Sequence, residues 1–188
     1  LHGRRDNAYK ARIKILVKAL GIDEFKKQVE AEWLHLKDNP NTITEAELAR
    51  VAKHFEAMPY QNLPAHDASF DAAIATNPAF AAWVKRCAHP HRQAGYRAVT
   101  ISLKPHGHPP GDITSEQMDV VADLADAYSF GELRASHEQN LILADVKLSD
   151  LFAVWEKARA AGLATPNIGL LTDIICCPGG DFCSLANA

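Results

Sequence analysis

Near Gly95 the apolar pattern of this chain changes period, and neither an all-helical nor an all-β fold accommodates that change. Upstream, Tyr9, Ile13, Leu16 and Leu20 recur at helical spacing, and Gly21 follows as a stop. Phe25, Val29, Trp33 and Leu36 repeat the pattern before Asn39-Pro40. Thr44 and Glu47 fit a capping box that opens a helix through about Ala57. Asn77-Pro78 reads as an N-cap followed by proline at the first helical position, in a helix that turns Phe80, Trp83, Val84 and Cys87 inward. Pro59 to Ser69 reads as loop.

Downstream, Val99, Ile101 and Leu103 alternate with Ala98, Thr100 and Ser102, as in a half-buried strand. Residues 105–112 hold three prolines and two glycines and read as loop. Thr114-Ser115-Glu116-Gln117 is a second capping box. Its helix carries Met118, Val121, Leu124 and Ala125 and ends near Ser129-Phe130-Gly131. Leu133 to Ser136 and Asn140 to Leu143 read as two short strands around a turn. Ser149 then caps a helix with Leu151, Phe152, Trp155 and Ala158 on one face, stopped by Gly162. The order from Tyr96 is strand, helix, two strands, helix. The expected fold class is α+β, with helices on one side of a small antiparallel sheet.

Composition narrows the function classes. A chain of 188 residues, 47% hydrophobic and 23% charged, is neither wholly disordered nor a disulfide-dense miniprotein. A net charge of −3 argues against a general nucleic-acid binder. No apolar run approaches the ~20 residues of a membrane-spanning helix. The chain starts at Leu1 with no secretory-leader pattern and stops five residues after Cys183, so it reads as a piece of a longer cytoplasmic polypeptide.

Three of the four cysteines, Cys176, Cys177 and Cys183, lie within eight residues; the fourth is Cys87. A vicinal pair closes a strained disulfide ring. In a reducing compartment, clustered thiols are metal ligands or redox groups more often than staples. The plainer alternative is that one or two are small buried apolar residues. In Cys177-Pro178-Gly179-Gly180-Asp181-Phe182-Cys183 two thiols flank a Pro-Gly-Gly turn. Glycines let backbone N–H groups approach the sulfurs of a cluster, where hydrogen bonds tune its potential. By spacing alone the motif also fits a redox pair or half a zinc site. Cys87, His89 and His91 form C-x-H-x-H, and His106 and His108 form H-x-H. Both abut prolines and read as exposed loops rather than metal sites. Lys10, Lys14 and Lys18, and likewise Asp123, Asp126, Glu132 and Glu138, read as solvated faces. No glycine-rich nucleotide loop is present.

These residues together resemble a known family. Thr172 through Cys183 to Ala188 is similar to the first cluster-ligand segment of the sirohaem-dependent nitrite and sulfite reductases, most of all the sulfite reductase haemoprotein branch. Gly131-Glu132-Leu133-Arg134-Ala135-Ser136-His137-Glu138-Gln139-Asn140-Leu141 resembles the turn and strand of that family's ferredoxin-like half domain, as do Ile101 to Lys104 and Pro110 to Thr114. Arg4-Arg5-Asp6-Asn7-Ala8 with Ala11-Arg12 resembles the linker between its two repeats. The resemblance covers residues 1–20 and 95–188, and residues 22–90 match no motif.

The resemblance implies a helical segment over 1–94, the half domain over 95–163, and over 164–188 the start of a domain holding sirohaem and a 4Fe–4S cluster. It implies six-electron reduction of sulfite to sulfide, or, as the alternative, nitrite to ammonia by a ferredoxin-dependent enzyme. Cys177 and Cys183 then match the first pair of cluster ligands, with Cys176 as a neighbour. The second pair, the substrate-binding cations and the catalytic residues lie outside this stretch. The implied partners are the other repeat of the same polypeptide, a flavoprotein or ferredoxin donor, and sulfite or nitrite, with no nucleic acid and no membrane. With half its ligands the piece alone is expected to hold neither cofactor and to be inactive. From another class, the alternative is a non-catalytic metal-binding or docking module.

Overall fold

The computed structural model describes residues 12–181, 183, 184 and 186. Tyr9, Lys10, the Arg4-Arg5-Asp6-Asn7-Ala8 stretch, Ala11, Phe182, Leu185, Asn187 and Ala188 lie outside the described residues. The chain forms two compact units that meet in sequence at Ala57 and Met58.

The first unit is helical: α1 (Ile13–Leu20), α2 (Ile22–Leu36) and α3 (Glu45–Ala52), the last running on into a 3-10 turn at Lys53–Phe55. Gly21, at φ +78°, separates α1 from α2, a conformation that side-chain-bearing residues rarely adopt. Thr44 Oγ1 accepts from Glu47 N at 3.2 Å and caps α3. None of the described residues up to Ala57 is buried.

The second unit begins with α4 (Ala68–Thr76), a helix inside and beyond the stretch read as loop, capped by Asp67 Oδ1 accepting from Phe70 N at 2.9 Å. In α5 (Pro78–Cys87), Asn77 Oδ1 accepts from Phe80 N at 3.0 Å and Pro78 opens the helix, as expected. Four antiparallel strands follow: β1 (Ala88–Pro90), β2 (Tyr96–Ile101), β3 (Leu133–Ala135) and β4 (Leu141–Lys147), in the order β1-β2-β4-β3. Between β2 and β3 lies α6 (Ser115–Tyr128), where Thr114 and Gln117 close a complete capping box. The last helix, α7 (Leu151–Ala160), follows a 3-10 turn at Leu148–Asp150. Its N-cap is Asp150, without a side-chain cap bond, not Ser149 as expected. The early turn consumes the residues that Ser149 would have capped.

The α+β class and the expected order of strand, helix, two strands, helix are both present. One core joins Val99, Ile101, Leu143 and Val146 of the sheet to Phe80, Trp83 and Cys87 of α5, Val121 and Leu124 of α6, and Leu151, Val154 and Trp155 of α7. Because α5 supplies this core, the helical stretch before Gly95 is shared between the two units. Burying each such large apolar side chain stabilises the fold by about 1.5–3 kcal/mol.

The register of β2 on β4 contains an irregularity. Arg97 pairs with Val146 and Val99 with Leu143, so Ala144 and Asp145 together face Ala98. This bulge lets both Leu143 and Val146 turn into the core, although they are three residues apart. Ser129 Oγ accepts from Asp145 N at 3.2 Å and replaces the lost ladder partner. Among the described residues no helix is long and apolar enough to cross a membrane.

Candidate functional site

The chain leaves α7 at Gly162, crosses the end of the sheet over residues 164–177, and reaches the thiol loop. That crossing packs Ala164 and Ile168 against the core and is otherwise held by polar groups. Lys104, just past the end of β2, is buried. Its Nζ lies 2.6 Å from Asp173 Oδ1, donates to Asp173 O at 3.0 Å, and also donates to Glu138 O. Asp173 Oδ1 accepts in addition from Asn140 Nδ2 at 3.1 Å, and Oδ2 from Gly169 N at 2.9 Å. Burial disfavours ionisation of this carboxyl, but the bonds from Lys104, Gly169 and Asn140 outweigh it and hold the group below the usual carboxylate range. Asn140 Oδ1 accepts from Leu103 N at 3.2 Å, and Asn167 Nδ2 donates to Lys104 O at 3.0 Å and Thr172 O at 3.2 Å. Each buried polar group here thus serves two elements at once.

The clamp continues at the β3–β4 turn. Gln139, at φ +57°, donates from Nε2 to Cys176 O at 2.7 Å and accepts at Oε1 from Cys176 N at 2.8 Å. Its side-chain amide pairs with Cys176 as a neighbouring strand would. Gly111, at φ +91°, packs beneath it: a Cβ there would meet Gln139 Cβ at 3.1 Å.

The two predicted ligands lie on either side of a 3-10 turn at Gly179–Asp181. Gly179 takes φ +65°, and Cys183 N donates to Gly179 O at 3.0 Å. Cys177 is exposed and Cys183 partly exposed, so both thiols are accessible. Among the described residues no group of three or more Cys, His, Asp or Glu side chains is placed to hold a metal. The donor set fits half of a four-thiolate cluster site: two accessible sulfurs on a loop that turns at Gly179. Cys176 Sγ points to Cys177 O at 3.5 Å.

Cys87, His89 and His91 each take a different partner within the fold. Cys87 is buried, donates to Thr165 O at 3.6 Å, and burial pushes its thiol up to about 12. His89 lies in β1, not a loop, against Thr100 Oγ1 at 3.1 Å. His91 Nδ1 accepts from Gln93 N at 2.9 Å, which leaves Nε2 to donate to Asp145 Oδ1 at 3.1 Å. Tyr60 donates to the same oxygen at 2.6 Å. His106 and His108 are exposed in a loop, as read from the sequence. Asp123, Asp126 and Glu138 are exposed, and Glu132 pairs with Arg134. Sequence reasoning did not single out Lys104, Asp173, Asn140, Asn167 or Gln139. The separation of 69 positions between Lys104 and Asp173 leaves no local pattern to find.

The nitrite/sulfite reductase ferredoxin-like half domain matches residues 89–161, from β1 to the end of α7. The chain is 28% identical over 188 residues to the chloroplastic ferredoxin–nitrite reductase of Betula pendula, covering 98% of this chain and 26% of that protein. The Arabidopsis thaliana enzyme of the same name is 27% identical over 187 residues, with the same two coverages. A ferredoxin–nitrite reductase of Synechococcus elongatus is 30% identical over 115 residues, 60% of this chain and 22% of its own length. The chain spans about a quarter of the length of the curated relatives it matches.

Proposed function

Because this chain belongs to the nitrite/sulfite reductase family, we propose that it forms part of a six-electron oxyanion reductase, with Cys177 and Cys183 as two of the four thiolate ligands of a 4Fe–4S cluster next to sirohaem. The observation that carries this reading is the docking, on the half domain, of the chain that enters the thiol loop. Lys104, Asp173 and Gln139 fix the chain up to Cys176, and the Gly179 turn follows at once. A cluster ligand must be held within a few tenths of an ångström, and a polar lattice of this kind supplies that rigidity.

Single-electron delivery and a metal site for the oxyanion are the chemistry that the two groups supply when bound. This chain's own work is positional. It presents two sulfurs, turns the intervening backbone at Gly179, and ties the chain entering the loop to a packed sheet. The remaining two thiolates, and the cations that neutralise the substrate, come from the other repeat and from later segments of the same polypeptide.

Nitrite is the substrate proposed first, with ferredoxin as donor, because the relatives found bear that name. Sulfite, towards which the likeness of the thiol segment leans, is the second reading. In the full-length protein, reduced methyl viologen as electron source separates the two: ammonium formed from nitrite supports the first, sulfide formed from sulfite the second. Iron and acid-labile sulfide analysis tests the ligands directly. About four irons in the parent and their loss in Cys177→Ser or Cys183→Ser are expected for a thiolate-held cubane. Full iron in either variant excludes that residue as a ligand.

A further inference from the structure

Two adjacent thiols, Cys176 and Cys177, stand at the edge of the loop, and both are exposed. Chemistry alone does not choose between them, since either is a competent thiolate. The backbone does. Consecutive side chains of an extended segment point to opposite sides, so fixing the orientation of one residue fixes the other. Gln139 fixes Cys176 by gripping both its N–H and its C=O. Rotation of that one peptide segment would exchange the two sulfurs, and it cannot occur without breaking both bonds.

Three further observations show that the grip is built. Gln139 adopts φ +57°, a left-handed conformation that is unfavourable for a side-chain-bearing residue. A Cβ at Gly111 would meet Gln139 Cβ at 3.1 Å and Cδ at 3.5 Å, so Gln139 would have to give way to a side chain there. The segment entering Cys176 is anchored three residues earlier by the buried Lys104–Asp173 pair.

We infer that Gln139 is a positioning residue that selects Cys177, rather than Cys176, as the thiolate presented to the iron. The inference rests on the proposed ligand role of Cys177 and adds the reason for it. No group is transferred: Gln139 acts through the Cys176 backbone and does not touch the cofactor.

The test uses the full-length reductase, read by iron and sulfide content and by the low-temperature electron paramagnetic resonance of the reduced cluster. Cys176→Ser is expected to keep both iron and a single parental signal. Gln139→Leu, which removes both bonds at similar volume, is expected to give two signals, as either thiol ligates. Adding Cys176→Ser to Gln139→Leu should return the spectrum to one signal, an outcome that general loosening of the loop would not produce. Gly111→Ala, which displaces Gln139 without touching a thiol, should give the same two signals and covers the case in which Gln139→Leu does not fold. A single parental signal in Gln139→Leu or Gly111→Ala, with Cys177→Ser devoid of iron, overturns the inference and leaves the ligand reading standing. Full iron in Cys177→Ser alone, in a protein with Gln139 intact, overturns both.

Discussion

Lys104 Nζ lies 2.6 Å from Asp173 Oδ1, with the two side chains 2% and 8% exposed. The pair joins the end of β2 to the chain just before the thiol loop. Removing one member strands a charge in a dry place, which costs far more than the pair itself contributes. Asp173→Asn is therefore expected to destabilise the protein by about 3 kcal/mol in urea unfolding. The double change Lys104→Met with Asp173→Leu should recover most of that loss. Equal losses in the single and double variants would show that the pair is not the anchor.

The same carboxyl predicts an acid dependence. Asp173 is held below its ordinary value of 3.8, so the unfolded chain takes up this proton before the native one does. Its contribution is complete above 3.8 and is lost as pH falls from there through the native value. The stability gap between parent and Asp173→Asn should be flat near neutrality and close below about pH 4. A gap that persists unchanged at lower pH would contradict the assignment.

Tyr60 gives the alkaline counterpart. Its hydrogen bond to Asp145, with burial and the nearby carboxylate charge adding to it, raises the phenol to about 12. The native state keeps this proton while the unfolded chain loses it near pH 10. The stabilisation is whole below pH 10 and disappears as pH rises towards 12. Tyr60→Phe should remove that part of the alkaline loss and cost about 1.5–3 kcal/mol at neutral pH, the value of a hydrogen bond to a charged group.

Gly95 takes φ +78°, and a Cβ there would meet Leu63 Cβ at 2.4 Å and Pro64 O at 3.0 Å. Gly95→Ala combines an unfavourable backbone conformation with overpacking and should cost about 3 kcal/mol. Thermal unfolding measures it. Gly107→Ala, also at positive φ but with open space around it, isolates the backbone component.

Thiol labelling of cluster-free protein at neutral pH should separate the four cysteines. Cys87 is buried, with its thiol pushed up to about 12, so it resists alkylation. Cys176, Cys177 and Cys183 are accessible and should react. Mass spectrometry of the labelled peptides gives the answer, and early labelling of Cys87 would argue against the α5 packing described.

Local signals were enough for much of this fold. Asn77-Pro78 and Thr114 with Gln117 mark α5 and α6 because capping is decided by residues three apart. The alternation from Ala98 marks β2, which ends at Ile101; unlike a half-buried strand, the stretch buries Thr100 and Ser102 on its polar side as well. By contrast, α4 follows a stretch that holds Pro59 and Pro64, with Asp67 as its starting signal. His89-Pro90 reads as loop, yet β1 forms because β2 offers it a ladder from Arg97 to Val99. In the candidate site, the spacing of Cys177 and Cys183 was legible. The residues that hold the chain entering the thiol loop were not, because Lys104, Gln139 and Asp173 come together only through the tertiary fold. The half-domain match beginning at residue 89 rather than 95 reflects the same point: β1 belongs to the sheet.

The two-for-one pairing of Ala144 and Asp145 against Ala98 gives β4 one residue more than its apolar face needs. Deleting either would leave Leu143 and Val146 two apart, still on one side of a regular strand, so the interior would survive the loss. What would go is the spare polar position, from which Asp145 receives Tyr60 and His91 and meets Ser129. The extra letter thus serves the outer side of the strand.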